Sequence, residues 1–394
     1  MNISTLDIVV FSSYCLLILF IGLYVSRDKK GKEKSAEDYF LAGKSLPWWA
    51  IGASLIAANI SAEQFIGMSG SGYALGLAIA SYEWMAALTL IVVGKYFLPI
   101  FIEKGLYTIP EFVEKRYSTN LKTILAVFWI GLYVFVNLAS VLYLGGLALE
   151  TILGIDMLTA VIGLASFAAA YSLYGGLSAV AWTDIIQVVV LVLGGLITTY
   201  LALDTVSGGE GFLSGLVDIY NTVPERFDMI LEKSNPEYMN LPGIGVLIGG
   251  MWIANIYYWG FNQYIIQRTL AAKSLEESQK GILFAAGLKM IIPLIVVIPG
   301  IAAYVIVNDP NLIGSLGDAG LENLPTKSQA DKAYPWLMQF LPSGLKGIAV
   351  AALAAAIVSS LASMLNSTAT IFTMDIYKQL INKDASESTT INIG

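Results

Sequence analysis

The chain has 394 residues, of which 13% are charged and 56% are apolar, whereas a soluble domain typically carries about 25% charged residues. This balance excludes a disordered chain and an ordinary cytosolic domain. Histidine is absent and Cys15 is the only cysteine, which excludes an internal disulfide, the usual Cys/His zinc site, a His-ligated haem and a Ser-His triad. The net charge of −7 offers no basic surface for nucleic acid. With a mean hydropathy of +0.70, the composition indicates an integral membrane protein.

Apolar runs long enough to cross about 30 Å of hydrocarbon, roughly 20 residues each, recur along the chain. Their length and their Leu, Ile, Val and Ala content indicate helices, because transmembrane β-strands are shorter and strictly alternating. The first run is not expected to be a cleaved signal peptide, because no Lys or Arg precedes it. We predict nine spans, at 5–26, 47–72, 77–102, 122–151, 156–175, 178–204, 242–267, 281–307 and 343–372.

The basic residues predict the orientation of these spans. With nine spans, 16 Lys and Arg residues fall on the side of the loop 27–44, five fall on the opposite side, and Lys289 lies within a span. Arg268 is among the 16, as the first residue of a basic loop at 268–280. Because cytoplasmic loops carry the excess of basic residues, we expect an outer N-terminus and a cytoplasmic C-terminus. Two polar stretches, 205–241 and 308–342, would then lie outside, and an amphipathic segment at 108–117 inside.

Two predicted spans carry polar residues in places where hydrocarbon would leave them without partners. Span 47–72 contains the sequence NISAEQ at 59–64, and span 242–267 contains Asn255 followed by the pair 262–263. Both spans also contain the triplet Ala-Asn-Ile, at positions 196 residues apart. Paired interrupted helices in corresponding positions indicate a transporter site at the interface of two repeats. Interhelical hydrogen bonds and glycine packing are the alternative explanation, and the residues leave both open.

Two ionisable residues, Glu83 and Lys289, lie deep within predicted spans. Each costs about 2.5–3.5 kcal/mol at a helix centre on insertion scales, a large cost for a residue without a role. One interpretation is a structural ion pair or a snorkelling lysine. The other is a polar cavity for a neutral solute rich in hydroxyls, because a carboxylate accepts hydrogen bonds and an ammonium donates them. Neighbouring aromatic side chains suited to stacking on a sugar ring are Tyr82, Tyr257, Tyr258 and Trp259.

The last predicted span carries hydroxyl groups among small residues, at Ser359, Ser360, Ser363, Ser367 and Thr368. Close helix packing, with each hydroxyl bonded to the carbonyl four residues earlier, explains this pattern. A sodium site also explains it, because hydroxyls and the carbonyls freed by an interrupted helix supply neutral oxygen ligands. No carboxylate lies at the centre of this span, which argues against Ca²⁺ or Mg²⁺. The residues alone leave packing and sodium binding open.

Four segments are distinctive: EDYFLAGKSLPWWAIGASLIAANISAEQFIGMSGSGY, YSLYGGLSAVAWTDIIQ, YYWGFNQYIIQRTLAAKS and AAIVSSLASMLNSTATIFTMDIY. Through them the chain resembles, from residue 5 to its end, the sodium:solute symporter family. The resemblance implies an all-α integral membrane protein with an inverted-repeat fold of the LeuT type. A single transporter domain, 1–394, would comprise an extra N-terminal helix at 5–26, a first five-helix repeat at 47–204 and the first three helices of a second repeat at 242–380.

The resemblance also implies roles for individual residues. Hydrogen bonds to the sugar fall on Gln64, Glu83, Asn255 and Lys289. The inner gate is Tyr258, with Asn59 bonded to its hydroxyl, and the outer gate comprises Met68 and Tyr82. The sodium ligands are the backbone carbonyls of Ala57, Ile60 and Ala356 and the hydroxyls of Ser359 and Ser360. Asp184 matches an acidic position on the cytoplasmic side that guides sodium release.

Two features depart from the pattern of the family's galactose-transporting members. Ala86 stands where that pattern has a serine that bonds the sugar, so one hydroxyl contact is expected to be missing. The chain ends at Gly394, where the next core helix would begin, so the second repeat is expected to lack a further sugar-binding glutamine and a gate phenylalanine. We interpret the chain as a truncated form or a naturally short relative.

The expected function is sodium-coupled symport of a neutral sugar, galactose or glucose, by alternating access. The expected partners are that sugar, Na⁺ as the coupling ion and the lipid of the cell (inner) membrane, with no other cofactor and a homodimer left open. One alternative is a sodium symporter for an amino acid or organic anion, which Glu83 disfavours because like charges would face each other. Another is a ligand-binding membrane sensor that does not transport. An enzyme is not expected, because the sequence has no nucleophile–base arrangement and Cys15 lies in the peripheral first span.

Overall fold

The computed structural model describes residues 3–27, 34–241, 243–321 and 324–394, and all regular secondary structure in these ranges is helical. The helices that build the membrane domain are labelled α1 (Thr5–Val25), α2 (Trp48–Asn59), α3 (Ser69–Leu75), α4 (Leu77–Glu103), α5 (Thr119–Glu150), α6 (Met157–Val206), α7 (Gly243–Phe261), α8 (Gln263–Leu270), α9 (Leu275–Asn308) and α10 (Leu345–Ile381). Shorter helices lie at Ala36–Phe40, Ile109–Arg116, Phe212–Thr222, Pro310–Ser315, Asp318–Leu321, Ala333–Met338 and Glu387–Ile393.

Seven helices within the described ranges are long and apolar enough to cross a membrane, by length and composition, and they coincide with seven of the nine predicted spans. The other two predicted spans are built differently. Span 47–72 is divided into α2 and α3, and span 156–175 forms the first part of α6, where the apolar helix Met157–Ala170 is shorter. The boundary between the fifth and sixth predicted spans falls at Gly176, whose φ of 55° and ψ of −149° bend α6. Glycine is required there, because its φ is positive and a Cβ atom would lie 2.3 Å from the Tyr39 carbonyl oxygen.

Both predicted helix interruptions are confirmed. After α2, Ile60 is extended (φ −80°, ψ 106°) and a π-turn follows at Glu63–Met68. After the π-turn that ends α7, Asn262 is likewise extended (φ −87°, ψ 119°). The shared Ala-Asn-Ile triplet does not mark corresponding positions, however. Asn59 directly precedes the first break, which begins at Ile60. The second break begins at Asn262, so Asn255 lies almost two helical turns before it.

Close helix contacts surround the first break. Helix α2 packs against α6 and α9, and α10 packs along α6. Helices α3 and α9 approach closely through Gly72 and Gly300, where an added Cβ atom would lie 2.5 Å from the Val297 carbonyl and 2.0 Å from the Ser69 carbonyl. Helix α1 packs outside α6 and α10, and the carboxylate of its Asp7 accepts hydrogen bonds of 2.7 and 2.8 Å from the backbone N–H groups that begin α10.

Short helices lie in the polar connecting segments, one of them in the predicted amphipathic segment. Phe212–Thr222 lies within the stretch 205–241, and Ile109–Arg116 lies within 108–117. Of the predicted basic loop 27–44, Lys29, Lys30 and Lys32 lie outside the described residues.

Candidate functional site

A charged pair lies at the centre of the helix bundle, beside the first break. Lys289 of α9 places its Nζ atom 2.5 Å from Glu83 Oε2 of α4, and it also donates to Asn59 Oδ1 at the end of α2. Lys289 is 1% exposed and Glu83 is 5% exposed, so the lysine does not snorkel. The Trp259 ring lies 5.1 Å from the ammonium and adds a cation–π contact. The structure therefore brings together two of the four predicted sugar ligands and balances their charges.

A chain of hydrogen bonds continues from this pair to the second break. Asn59 Nδ2 donates to the Tyr258 hydroxyl at 2.8 Å, which is the contact that the resemblance implies. The Tyr258 hydroxyl lies 2.6 Å from the hydroxyl of Tyr264, which belongs to α8 on the far side of the second break. Asn262, the extended residue between them, accepts a hydrogen bond of 2.5 Å from the Tyr133 hydroxyl. The two breaks are thus joined through side chains.

The other predicted sugar and gate residues do not converge on the pair in the same way. Gln64 Oε1 accepts from the backbone N–H and hydroxyl of Ser61, at 2.9 and 3.1 Å. Asn255 Nδ2 donates to the Met251 carbonyl of its own helix at 3.0 Å. Met68 is half-buried, whereas Tyr82 is 41% exposed. Ala86, the departure from the family pattern, is buried and offers no hydroxyl.

The five predicted sodium residues are all fully buried where α10 crosses the end of α2. Ser360 Oγ donates to the Ala58 carbonyl at 3.0 Å, which fixes that crossing. The Ser61 N–H would donate to the Ala57 carbonyl in an unbroken helix, but here it donates to Gln64. Ala57 and Ile60 therefore sit where backbone carbonyls have lost their helical partners, and Ala356 is buried in α10, one turn before Ser360. A set of neutral oxygens of this kind fits a sodium ion.

A second buried ion pair adjoins the sodium residues. Arg268 Nη2 lies 3.3 Å from Asp184 Oδ2, and both side chains are 0% exposed. Asp184 also accepts hydrogen bonds of 2.5 Å from the hydroxyls of Ser54 and Ser359. The acidic position predicted for sodium release thus directly contacts one predicted sodium ligand. The prediction that Arg268 is the first residue of a basic loop is wrong, because Arg268 lies within α8, which is buried along its whole length.

Helix α8 is buried because its polar side chains have partners on several other segments. Gln263 accepts from the Ile109 N–H at 2.9 Å, and Gln267 donates to the Phe40 carbonyl at 2.7 Å and to Thr370 at 2.9 Å. The sequence indicates part of this arrangement, because Gln263 is polar and lies within a predicted span. Gln267 also falls within that predicted span, whereas Arg268 is predicted to begin the loop 268–280.

A third charged cluster lies at the end of the bundle that contains α8, between the short helix Ile109–Arg116 and α10. Glu114 accepts hydrogen bonds of 2.8 Å from Lys122 and 2.7 Å from Gln379. Burial disfavours the charged form of Glu114, but the hydrogen bonds from Lys122, Thr119 and Gln379 outweigh it and lower the pKa of this carboxyl below its usual value of 4.5. Lys122 also lies 3.2 Å from Asp375. This cluster fastens the short helix to the end of α10.

Known proteins with similar sequences show where the chain belongs. Residues 39–393 match the model of the sodium:solute symporter family. A protein of Vibrio parahaemolyticus named sodium/glucose cotransporter is 70% identical over 393 residues, which are 100% of this chain and 72% of the relative. The Homo sapiens sodium/myo-inositol cotransporter 2 is 35% identical over 98% of this chain and 58% of its own length. The chain belongs to the sodium:solute symporter family.

A solved structure supports the same assignment at the level of the fold. A Na⁺-coupled sialic acid symporter in a substrate-bound, outward-open state superposes with a TM-score of 0.84 at 25% identity, over 100% of this chain and 79% of that chain. Together with the all-helical architecture, this confirms the predicted all-α membrane fold of the LeuT type. The chain is a multi-pass membrane protein of a transporter family.

Proposed function

We propose that the protein couples the entry of Na⁺ to that of a neutral sugar, galactose or glucose, and that it acts as a transporter and not as an enzyme. The observation that carries this proposal is the 70% identity, across the whole chain, to a relative named sodium/glucose cotransporter. The chain spans 72% of the length of that relative and 58% of the length of the human inositol cotransporter, so transport by this chain is a proposal.

The proposed sodium site consists of the carbonyls of Ala57, Ile60 and Ala356 and the hydroxyls of Ser359 and Ser360. Two of the carbonyls lie at the broken end of α2, where the Ser61 N–H donates to Gln64 in place of Ala57. Each serine already donates its proton, Ser359 to Asp184 and Ser360 to Ala58, so its lone pairs remain free to bind a cation. Sodium bound there would hold α2 and α10 together.

The proposed sugar site is built around the Lys289–Glu83 pair, with Asn59 beside it and Gln64 and Asn255 turning towards the sugar when it binds. The pair has no net charge, so it suits a solute that donates and accepts hydrogen bonds without a charge of its own. A solute carboxylate would face Glu83 in a site with little water and would be disfavoured. Names of relatives support a polyhydroxyl solute, since they refer to glucose and to myo-inositol.

The gates are assigned on the same geometry. Tyr258 would close the inner side, because its hydroxyl is held between Asn59 and Tyr264 at the second break. Met68 and Tyr82 would cover the sugar from the outer side. Sodium binding would favour the outward-open state, the sugar would then bridge the broken helices, and both would leave inward, with Asp184 next to the exit of the ion.

Uptake by proteoliposomes that contain the protein tests this function. We expect labelled glucose or galactose to accumulate only under an inward sodium gradient, with a potassium gradient of equal size as the control. Equal uptake under both gradients would contradict sodium coupling. Ligand binding that depends on sodium, without any uptake, would favour the membrane sensor.

The identity of the solute is tested separately. A competition panel of galactose, glucose, myo-inositol, sialic acid and neutral amino acids should show displacement by the neutral sugars first. Displacement by an amino acid or an organic anion alone would favour the alternative symporter.

We also propose a cell inner membrane location with the N-terminus outside, as the basic residues predict, and a homodimer. Labelling of cysteines introduced at each terminus, and mass measurement in detergent, test these two points.

A further inference from the structure

Arg268 lies next to the proposed sodium site through its pair with Asp184, and none of the proposed roles involves this arginine. Every nitrogen of the guanidinium is engaged. Nε donates to Ser54 Oγ at 2.7 Å, Nη1 donates to the Tyr264 carbonyl, and Nη2 contacts both Ser363 Oγ and Asp184. An arginine with all of its nitrogens fixed in a dry site is held in one position.

Arg268 also stands between the two proposed sites. On one side its partner Asp184 accepts a hydrogen bond from Ser359 at 2.5 Å, and Ser363 donates to the Ser359 carbonyl at 2.6 Å. On the other side its partner Tyr264 lies 2.6 Å from the Tyr258 hydroxyl. Polar contacts therefore run from Ser359 through Asp184 to Arg268, and Arg268 also holds the backbone of Tyr264, whose side-chain hydroxyl contacts the proposed inner gate.

The charges explain what the pair does. A sodium ion at Ser359 lies one hydrogen bond away from a fully buried carboxylate, and without a counter-charge that carboxylate would bind the ion tightly. Arg268 supplies the counter-charge. We propose that Arg268 is a positioning residue for sodium, which neutralises Asp184 so that neutral oxygens set the affinity and the ion can be released. This inference rests on the proposed sodium site and assigns a role to a residue outside it.

The test measures sodium half-saturation on the purified protein, both by binding of radiolabelled sodium and by the rise of Tm with sodium concentration. In Arg268→Gln the carboxylate loses its counter-charge, so half-saturation should fall by about tenfold or more, and sodium release should slow. Arg268→Lys keeps the charge and should stay within about threefold of the unmodified protein. Arg226→Gln removes an arginine from a connecting segment and should leave half-saturation unshifted.

A charge cycle separates this role from a structural one. Asp184→Asn leaves the arginine charge unpaired and should raise half-saturation, and adding Arg268→Gln to it should lower the value again. The same comparison holds if Arg268→Gln alone does not fold. Variants that lower Tm while half-saturation stays unshifted, or an Arg268→Gln protein that binds sodium more weakly, would overturn the inference. An unmodified protein that binds no sodium would instead contradict the proposed function, and this inference with it.

Discussion

Lys289 and Glu83 are 206 residues apart in the chain, yet they form a buried ion pair of 2.5 Å beside the broken end of α2. Burying either charge alone in hydrocarbon would cost several kcal/mol, roughly 3 or more on insertion scales. Because the two are paired, neither side chain has to reach water. Asn59 joins the pair through the lysine, so the two helices that carry the charges are tied to the helix that breaks. A solute that binds here must exchange hydrogen bonds with groups that already satisfy one another.

Replacing Lys289 with Ala should abolish sugar binding and also destabilise the protein. The substitution leaves Glu83 buried without a partner, and breaking a buried pair costs about 3–5 kcal/mol. Binding of labelled galactose or glucose and Tm in detergent measure the two effects. The double variant Glu83→Gln, Lys289→Met should regain most of the lost stability, because a neutral pair of similar volume needs no counter-charge, while sugar binding stays absent. Retained sugar affinity in the double variant would make the pair purely structural.

Replacing Tyr258 with Phe should weaken the proposed inner gate without removing its ring. The hydroxyl bonds both Asn59 and Tyr264, and losing these two hydrogen bonds should cost about 1–3 kcal/mol in total. Efflux of labelled sugar from preloaded proteoliposomes should therefore become faster. Tyr257→Phe is the matched control, because the Tyr257 ring stacks on Trp129 at 5.3 Å and its side chain is 40% exposed. Equal efflux from both variants would remove the gate assignment from Tyr258.

Local patterns in the sequence were sufficient for the helix breaks and for the central charges. Asn59 and Ser61 are too polar for a lipid-facing span, and Lys289 within an apolar run demands a partner, so physical cost alone singled them out. These signals depend on the residue and its immediate neighbours. The helix breaks and the central charges could therefore be predicted without knowledge of the tertiary structure.

Arg268 shows what such patterns miss. It ends a predicted span and precedes Lys273 and Lys280, so its position along the chain is that of a loop residue. Its burial depends on Asp184 and Ser363, which lie 84 and 95 residues away. Side-chain direction is similarly hidden from the sequence. The sequence does not reveal that the amide oxygen of Gln64 accepts a hydrogen bond from the Ser61 N–H and thereby frees a backbone carbonyl.

Acid should loosen the end of the bundle where Glu114 binds Lys122. The pKa of Glu114 is lower in the folded protein than its usual 4.5, so its contribution to stability is present above the unfolded value and is lost as pH falls through the folded value. We expect the protection of the amides in Ile109–Arg116 against hydrogen exchange, taken relative to the intrinsic exchange rate at each pH, to fall over that acidic window more than protection elsewhere in the bundle. Lys122→Met removes the main hydrogen-bond donor and should flatten this dependence. Identical pH profiles for the two proteins would show that the ion pair does not fasten the helix.

The sodium ligands make the most discriminating prediction about the proposed site. Ser359→Ala or Ser360→Ala removes one hydroxyl oxygen, adds no charge and barely changes the volume of a fully buried side chain. Loss of one ligand should cost about 1–3 kcal/mol, which raises the sodium concentration for half-saturation roughly five- to a hundred-fold. Apparent sugar affinity should fall only through coupling to sodium, so saturating sodium should restore part of it.

Ser367→Ala is the matched control for this prediction, because Ser367 is buried on the same helix and donates to Gln267 at 2.9 Å, away from the proposed ion. It should lower Tm and leave the sodium response unshifted. If the serines of α10 serve only to pack the helix, all three variants will lower Tm and none will move sodium half-saturation. If Ser359 and Ser360 bind sodium, these two alone will move it, and Ser359→Ala will also remove the 2.5 Å hydrogen bond that Asp184 accepts. An Asp184 carboxylate with one hydrogen-bond donor fewer attracts the ion more strongly, so the Ser359 variant should lose less sodium affinity than the Ser360 variant, and the two should become alike in an Asp184→Asn background.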